Sequence, residues 1–204
     1  MKKFLLVVAI TLATQLAFAQ EIKIGLKAGV NFANQVYTVE GISISPSSVT
    51  SFHFHGLVDV PLSPVFSIQP GIGISGKGVE VEGDENFGAG KIDIMYLDIP
   101  VNAVAKFPIP ALGKVFIGAG PYAGIGLSGK GKANGESEDV EFGDDGDFKR
   151  GDLGVNFLGG LELNQGIMFN VNYGLGLANV TPSIDEIDVK TKNRVFTISV
   201  GFLF

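Results

Sequence analysis

Apolar and non-apolar residues alternate along most of this chain with a period of two, the pattern of strands that present one greasy face. The longest case is residues 114–130, K-V-F-I-G-A-G-P-Y-A-G-I-G-L-S-G-K. There Val115, Ile117, Ala119, Pro121, Ala123, Ile125 and Leu127 share one face, and Phe116, Gly118, Gly120, Tyr122, Gly124, Gly126 and Ser128 share the other. A strand of a soluble sandwich usually runs about 5 or 6 residues. A tilted strand that crosses a bilayer needs roughly 9 to 11 plus some overhang, so the length of this segment favours a membrane.

Seven more strands follow from the same alternation. Strand one covers residues 22–33, with Ile22, Ile24, Leu26, Ala28, Val30 and Phe32 against Lys23, Gly25, Lys27, Gly29 and Asn31. Strand two resumes at Thr50, with Phe52, Phe54, Val58 and Val60 against His53, His55 and Asp59. Strand three sets Phe66, Ile68, Ile72 and Ile74 against Ser67, Gln69, Gly71, Gly73 and Ser75. In strand four, residues 91–107, Ile92 and Ile94 are out of phase with Leu97, Ile99, Val101 and Ala103, and a bulge near Met95 or Tyr96 restores the phase. Strand five is the opening segment. Strands six, seven and eight centre on Val155, Val171 and Ile198.

The connections alternate in length. Residues 61–64, 108–113 and 164–166 make short turns at one rim, expected to be periplasmic. Residues 34–49, 76–90, 129–151 and 181–192 are read as long loops, expected to be extracellular, and they hold most of the carboxylates. An even number of antiparallel strands joined in this way predicts an all-β fold, an eight-stranded antiparallel up-and-down transmembrane β-barrel. Alternation alone does not say which face points outward, because a lipocalin-like barrel keeps its apolar face inside. The second face decides. It is Gly, Asn and Ser with a few charges, which suits a crowded interior better than a solvated exterior. Pro70, Pro100 and Pro121 fall inside strands that have no free edge, where each removes a ladder hydrogen bond, so each is expected at a bulge or near a rim.

Composition adds an address. Residues 1–19 open with Lys2 and Lys3, continue with an apolar run over residues 4–13 and end in Ala17-Phe18-Ala19, the layout of a signal peptide cleaved after Ala19. The apolar run is too short for a spanning anchor. Residues 20–204 are then expected to form a single barrel domain. Without Lys2 and Lys3, 13 basic residues face 21 acidic ones, a formal charge near −8, which excludes nucleic acid as a partner. No cysteine is present, so no disulfide holds the exported chain. Beyond residue 19 no run of about 18 apolar residues occurs. A chain that is hydrophobic on average but never continuously so fits a barrel in the outer membrane of a Gram-negative cell.

Several segments resemble the PorT-like outer-membrane β-barrel family of the Bacteroidetes: I-G-L-K-A-G-V-N-F-A-N (24–34), Y-L-D-I-P-V (96–101), A-G-P-Y-A-G-I-G-L-S-G-K (119–130), F-K-R-G-D-L-G (148–154), N-Y-G-L-G-L-A-N-V (172–180) and K-N-R-V-F-T-I-S-V-G-F-L-F (192–204). The resemblance implies the same location and shape, and a part in protein secretion. It makes Pro100 and Pro121 family features. It also makes Phe202 and Phe204 the aromatic signal read by the barrel-assembly machinery during biogenesis.

The residues that bear chemistry are few. His53 and His55, the two histidines, are expected inside the barrel near the extracellular rim, as polar filler rather than metal ligands or proton carriers. Lys27, Asp59, Asp98, Lys106, Glu162 and Lys23 also face inward, and buried charges must be paired, so an interior ion network is expected. With Phe116 and Tyr122 beside them, little room is left for a channel. The run G-D-D-G-D-F (143–148) offers Asp144, Asp145 and Asp147 to a calcium ion, but its spacing is not that of an EF-hand, and it is read as a solvated acidic loop. No nucleophile elbow, phosphate loop or zinc spacing occurs, so no enzyme and no cofactor is expected. The chain reads as a non-enzymatic, monomeric barrel with outer-membrane lipid around it. Its role is structural or at the surface; an accessory of a secretion or assembly machine, meeting other envelope or secretion proteins, is the alternative, and a small-ligand or ion binder at the mouth the third reading.

Overall fold

The computed structural model describes residues 21–39, 42–44, 46–81, 90–133, 136–143, 146–182 and 189–204. The expected signal peptide lies outside them, as do Asp144 and Asp145. Ten strands follow in chain order: β1 (Lys23–Val39), β2 (Ile42–Ile44), β3 (Val49–Pro61), β4 (Phe66–Val81), β5 (Gly90–Ile109), β6 (Gly113–Ala133), β7 (Glu136–Asp139), β8 (Gly151–Leu163), β9 (Ile167–Gly176) and β10 (Val189–Leu203). Eight of them, all but β2 and β7, pair antiparallel in sequence order. β10 then returns to β1 over Gly25↔Leu203 through Val39↔Val189, so the sheet closes in a ring. A closed ring leaves no edge strand, which is what a spanning sheet requires in a medium that cannot hydrogen-bond.

The two extra strands correct the expected plain loops. β2 folds back on the end of β1, and β7 folds back on the end of β6. β4 also runs on through Lys77 to Val81, where a loop was expected from Gly76, and β6 continues to Ala133. The Gly-rich run G-K-G-V-E-V has turn chemistry but keeps the phase of the strand. Lys77 and Val79 continue the inward row of Ser67, Gln69 and Ser75, and all five are buried.

The short connections all lie at the rim that holds the start of β1 and the end of β10. In the first, Ser63 Oγ accepts from the amides of Val65 and Phe66 at 3.3 and 3.0 Å. In the third, Gly166 sits at φ 89°, a left-handed position that favours glycine, and its amide closes the turn on Leu163 O at 2.9 Å. The register between β5 and β6 shifts between Met95 and Tyr96, which brings Ile94 inward to 1% exposure.

The prolines correct a second expectation, since none marks a bulge or a rim. Between β3 and β4 the ladder steps from Leu57↔Gly71 to Val60↔Ile68. Between β4 and β5 it steps from Pro70↔Val101 to Gly73↔Asp98, and between β5 and β6 from Pro100↔Tyr122 to Ala103↔Ala119. Each time the register resumes unchanged. Three neighbouring seams thus lose their regular ladder along one diagonal, because proline supplies no amide hydrogen there.

The ring's outer face is apolar. Ile117, Leu153, Ile198 and Val200 are all half exposed or more, as are Phe52, Phe54 and Phe157. In water such a surface would aggregate; in a bilayer it is the lipid contact. We expect Val200→Lys, which puts a charge midway along the apolar row from Phe196 to Phe204, to cost about 2 to 4 kcal/mol. Val36→Lys, above that row, should cost about 0 to 1 kcal/mol. Urea unfolding in phospholipid vesicles measures both.

Candidate functional site

The inward rows meet in the lumen as five layers, from the short-turn rim upward. The first is charged. Lys106 Nζ lies 2.7 Å from Asp59 Oδ2 and 2.7 Å from Glu162 Oε2. Gln69 donates to Asp59 Oδ1 at 2.8 Å, and Lys23 reaches Glu162 Oε1 at 3.4 Å. The second layer is an apolar plug of Leu57, Val104, Phe116, Leu158, Met168 and Leu203.

The third layer is polar. Asn31 Nδ2 donates to Gly76 O at 2.9 Å and Ser75 Oγ at 3.0 Å, so its Oδ1 faces His53 Nδ1, 2.8 Å away. An amide oxygen only accepts, so Nδ1 carries the proton and Nε2 accepts from Ser199 Oγ at 3.0 Å. A void of about 40 Å³ lies here, lined by Lys27, His55, Asn102 and Asn156 among others. Among the described residues, both ring nitrogens of His55 and the Asn102 carboxamide oxygen are buried without a hydrogen-bond partner.

The fourth layer centres on Lys77. Its ammonium lies 2.9 Å from Asp98 Oδ1 and 3.0 Å from Asp152 Oδ2, and 4.7 and 4.5 Å from the ring centroids of Tyr96 and Tyr122. Tyr122 Oη and Asn193 Nδ2 also donate to Asp152 Oδ2, at 3.2 and 3.0 Å. Gln35 Nε2 donates to Asn193 Oδ1 and Tyr37 Oη to Gln35 Oε1, which carries the chain of bonds to the upper end of β1. The fifth layer is an apolar cap of Ile94, Tyr96, Phe148 and Val180, backed by Ile92, Val140 and Phe142. Backbone bonds from Lys149 to Val180 O (2.7 Å) and from Val180 to Thr191 O (2.9 Å) hold it down.

The inward charges therefore fall into two separate clusters rather than one network. Asp59, Lys106 and Glu162 meet in the first, and Asp98 belongs to the second. Lys27 lines the void and, among the described residues, pairs with no carboxylate. The histidines lie at mid-barrel instead of near the rim. His53 stands opposite Gly29 and Ser75, and β1 and β4 continue to Val39 and Val81 above it. The acidic segment is also more than a solvated loop. Phe148 is 7% exposed, and Asp147 Oδ2 accepts from the Glu141 amide at 2.9 Å. Among the described residues no three His, Cys, Asp or Glu side chains form a metal-binding group.

Lys77, Asp152, Asn31 and Asn193 are central here and absent from the sequence candidates. Asn31 stood on an inward row, but alternation gives no partner across the lumen. Lys77 was hidden by the early end assigned to its strand.

Ser199, His53 and Asn31 have the order and distances of a nucleophile, a base and a residue orienting the base. What they lack is room. All three are at most 2% exposed, and the void beside His53 is about 40 Å³, against roughly 300 Å³ or more for an ordinary ligand pocket. We expect a fluorophosphonate probe to leave the folded protein unlabelled. A Ser199 adduct in the mass spectrum would mean that this serine is reachable.

Several solved outer-membrane proteins are similar to this chain at low identity. Ail, the attachment invasion locus protein of Yersinia pestis, is 13% identical, with 91% of this chain and 100% of that one covered and a TM-score of 0.47. Neisserial surface protein A is 10% identical with 91% and 100% covered, and OprG of Pseudomonas aeruginosa 13% identical with 89% and 95% covered, each with a TM-score of 0.47. No curated protein matches the chain. The family described as outer membrane protein beta-barrel domain matches residues 18–181, which take in the strands from β1 to β9. The chain belongs to this family and resides in the outer membrane of a Gram-negative cell.

Proposed function

We propose that the protein is a non-enzymatic barrel whose role is structural or lies at the cell surface, with the β2 and β7 end extracellular. The observation that carries this reading is the filled lumen. Two ion clusters and two apolar layers stack along it and leave a void of about 40 Å³ where a transport pathway would have to run. A barrel closed in this way offers partners its rims and its outside. Phe202 and Phe204, in edge contact at 5.0 Å, serve assembly of the barrel by the assembly machinery.

A second reading is an accessory of a secretion or assembly machine that contacts periplasmic proteins through the short turns. The motif resemblance to the PorT-like barrels favours it. Deleting the gene separates the two. A leaky, detergent-sensitive envelope with normal export supports the first; lost secreted cargo behind an intact envelope supports the second.

A further inference from the structure

The outer face of β10 changes character along its length. Phe202, Val200, Ile198 and Phe196 belong to the lipid face, and the next outward positions are Arg194, Lys192 and Lys190. They pair with Asn34, Val36 and Thr38 of β1, and Arg194 with Leu175 of β9. Among the described residues the outward rows of β1, β9 and β10 hold no carboxylate, in a chain with 21 acidic residues against 15 basic. Two of the other outward cations at this height stand near carboxylates. Lys130 stands opposite Asp139 of β7, and Lys91 lies 3.0 Å from Asp93.

Arg194 Nη1 donates to Tyr173 Oη at 3.2 Å, while its Nε is buried and, among the described residues, has no hydrogen-bond partner. Beside it runs an open groove of about 570 Å³, lined by Phe32, Val36, Tyr173, Arg194 and Phe196. The Phe32 and Phe196 rings stack with centroids 6.3 Å apart. The groove is continuous with the lipid face below and is bounded by Arg194, with Lys192 next to it opposite Val36. Lys190, which has an interaction of its own, continues the row.

We propose that this groove binds a phosphorylated glycolipid of the outer leaflet, its phosphate on Arg194 and Lys192 and an acyl chain along Phe32, Phe196 and Val36. A guanidinium presents a planar fork of donors that matches phosphate oxygens, and the part-exposed Arg194 side chain stands at the edge of the groove. A cation at a membrane surface strengthens binding of an anionic headgroup by about fivefold. The proposal rests on the orientation given above.

Native mass spectrometry of the protein in a neutral detergent tests it, by titration with diphosphoryl lipid A, the same lipid stripped of phosphate, and inorganic phosphate. Diphosphoryl lipid A should bind about 25-fold more tightly than the stripped lipid, about fivefold for each of the two cations. Lys192→Gln with Arg194→Gln should abolish that preference, Lys192→Gln alone should weaken it, and inorganic phosphate should not compete. Equal binding of the two lipids, an unchanged preference in the variants, or displacement by inorganic phosphate would overturn it. The orientation fails separately. Ser137→Cys supplies the chain's one thiol, and a membrane-impermeant maleimide that cannot reach it on whole cells would reverse the barrel without altering the micelle result.

Discussion

Lys77→Met should unfold the barrel at markedly lower urea, with a loss of about 3 to 5 kcal/mol. The substitution keeps most of the volume of the side chain and removes its charge. Asp98 and Asp152 would then face each other across a lumen where both are nearly inaccessible, the second at 0% exposure. Their remaining donors, Tyr122 and Asn193 on Asp152, are neutral. Two carboxylates stripped of their cation lose far more than a surface pair does, because water cannot replace what was removed. The control is to remove the whole cluster. Lys77→Met combined with Asp98→Asn and Asp152→Asn should recover most of the loss, since neutral groups of similar shape carry no desolvation penalty. If the triple variant is no better than the single one, packing of the ammonium between Tyr96 and Tyr122 matters and charge does not.

Gly120→Val should cost about 3 kcal/mol or more and lower the refolding yield. A Cβ built on Gly120 would lie 2.0 Å from Val101 O, 2.6 Å from Asn102 Cα and 2.8 Å from Val101 C. All three are backbone atoms of the adjacent strand, so no rotamer change relieves the overlap. The site adjoins the Pro100 and Pro121 seam, where the β5–β6 ladder is already interrupted. A strand pair that is short of hydrogen bonds is held there by close backbone approach, which glycine permits. Band-shift assays of heated and unheated samples read the folded fraction. A variant that folds and unfolds as the parent does would show that the two strands separate freely at this point.

The ring of eight strands was legible because bilayer and lumen impose opposite chemistries on alternate residues, and strands long enough to cross repeat that contrast many times. The Met95–Tyr96 shift was legible for the same reason, since Ile92 and Ile94 broke phase with Leu97 and Ile99. What alternation could not supply is which inward residues meet. That depends on the stagger between strands, and it is the stagger that puts Lys77 of β4 beside Asp152 of β8, and Lys106 of β5 beside Asp59 and Glu162. The extent of β4 was missed because Gly76-Lys77-Gly78 looks like a turn. The true signal was the unbroken phase of Ser75, Lys77 and Val79. The histidines were placed too high for a related reason: sequence gives a position along a strand, while height in the barrel depends on how far the neighbouring strands continue.

A barrel filled along its length should conduct no ions, which leaves its rims and outer face for its work. Planar-bilayer recording of the purified protein in molar potassium chloride tests it most directly. The filled lumen predicts no stepwise current from the parent protein, even when its insertion is verified by a protease-protected band. Regular unit openings, which vanish when the protein is heat-denatured before reconstitution, would contradict it.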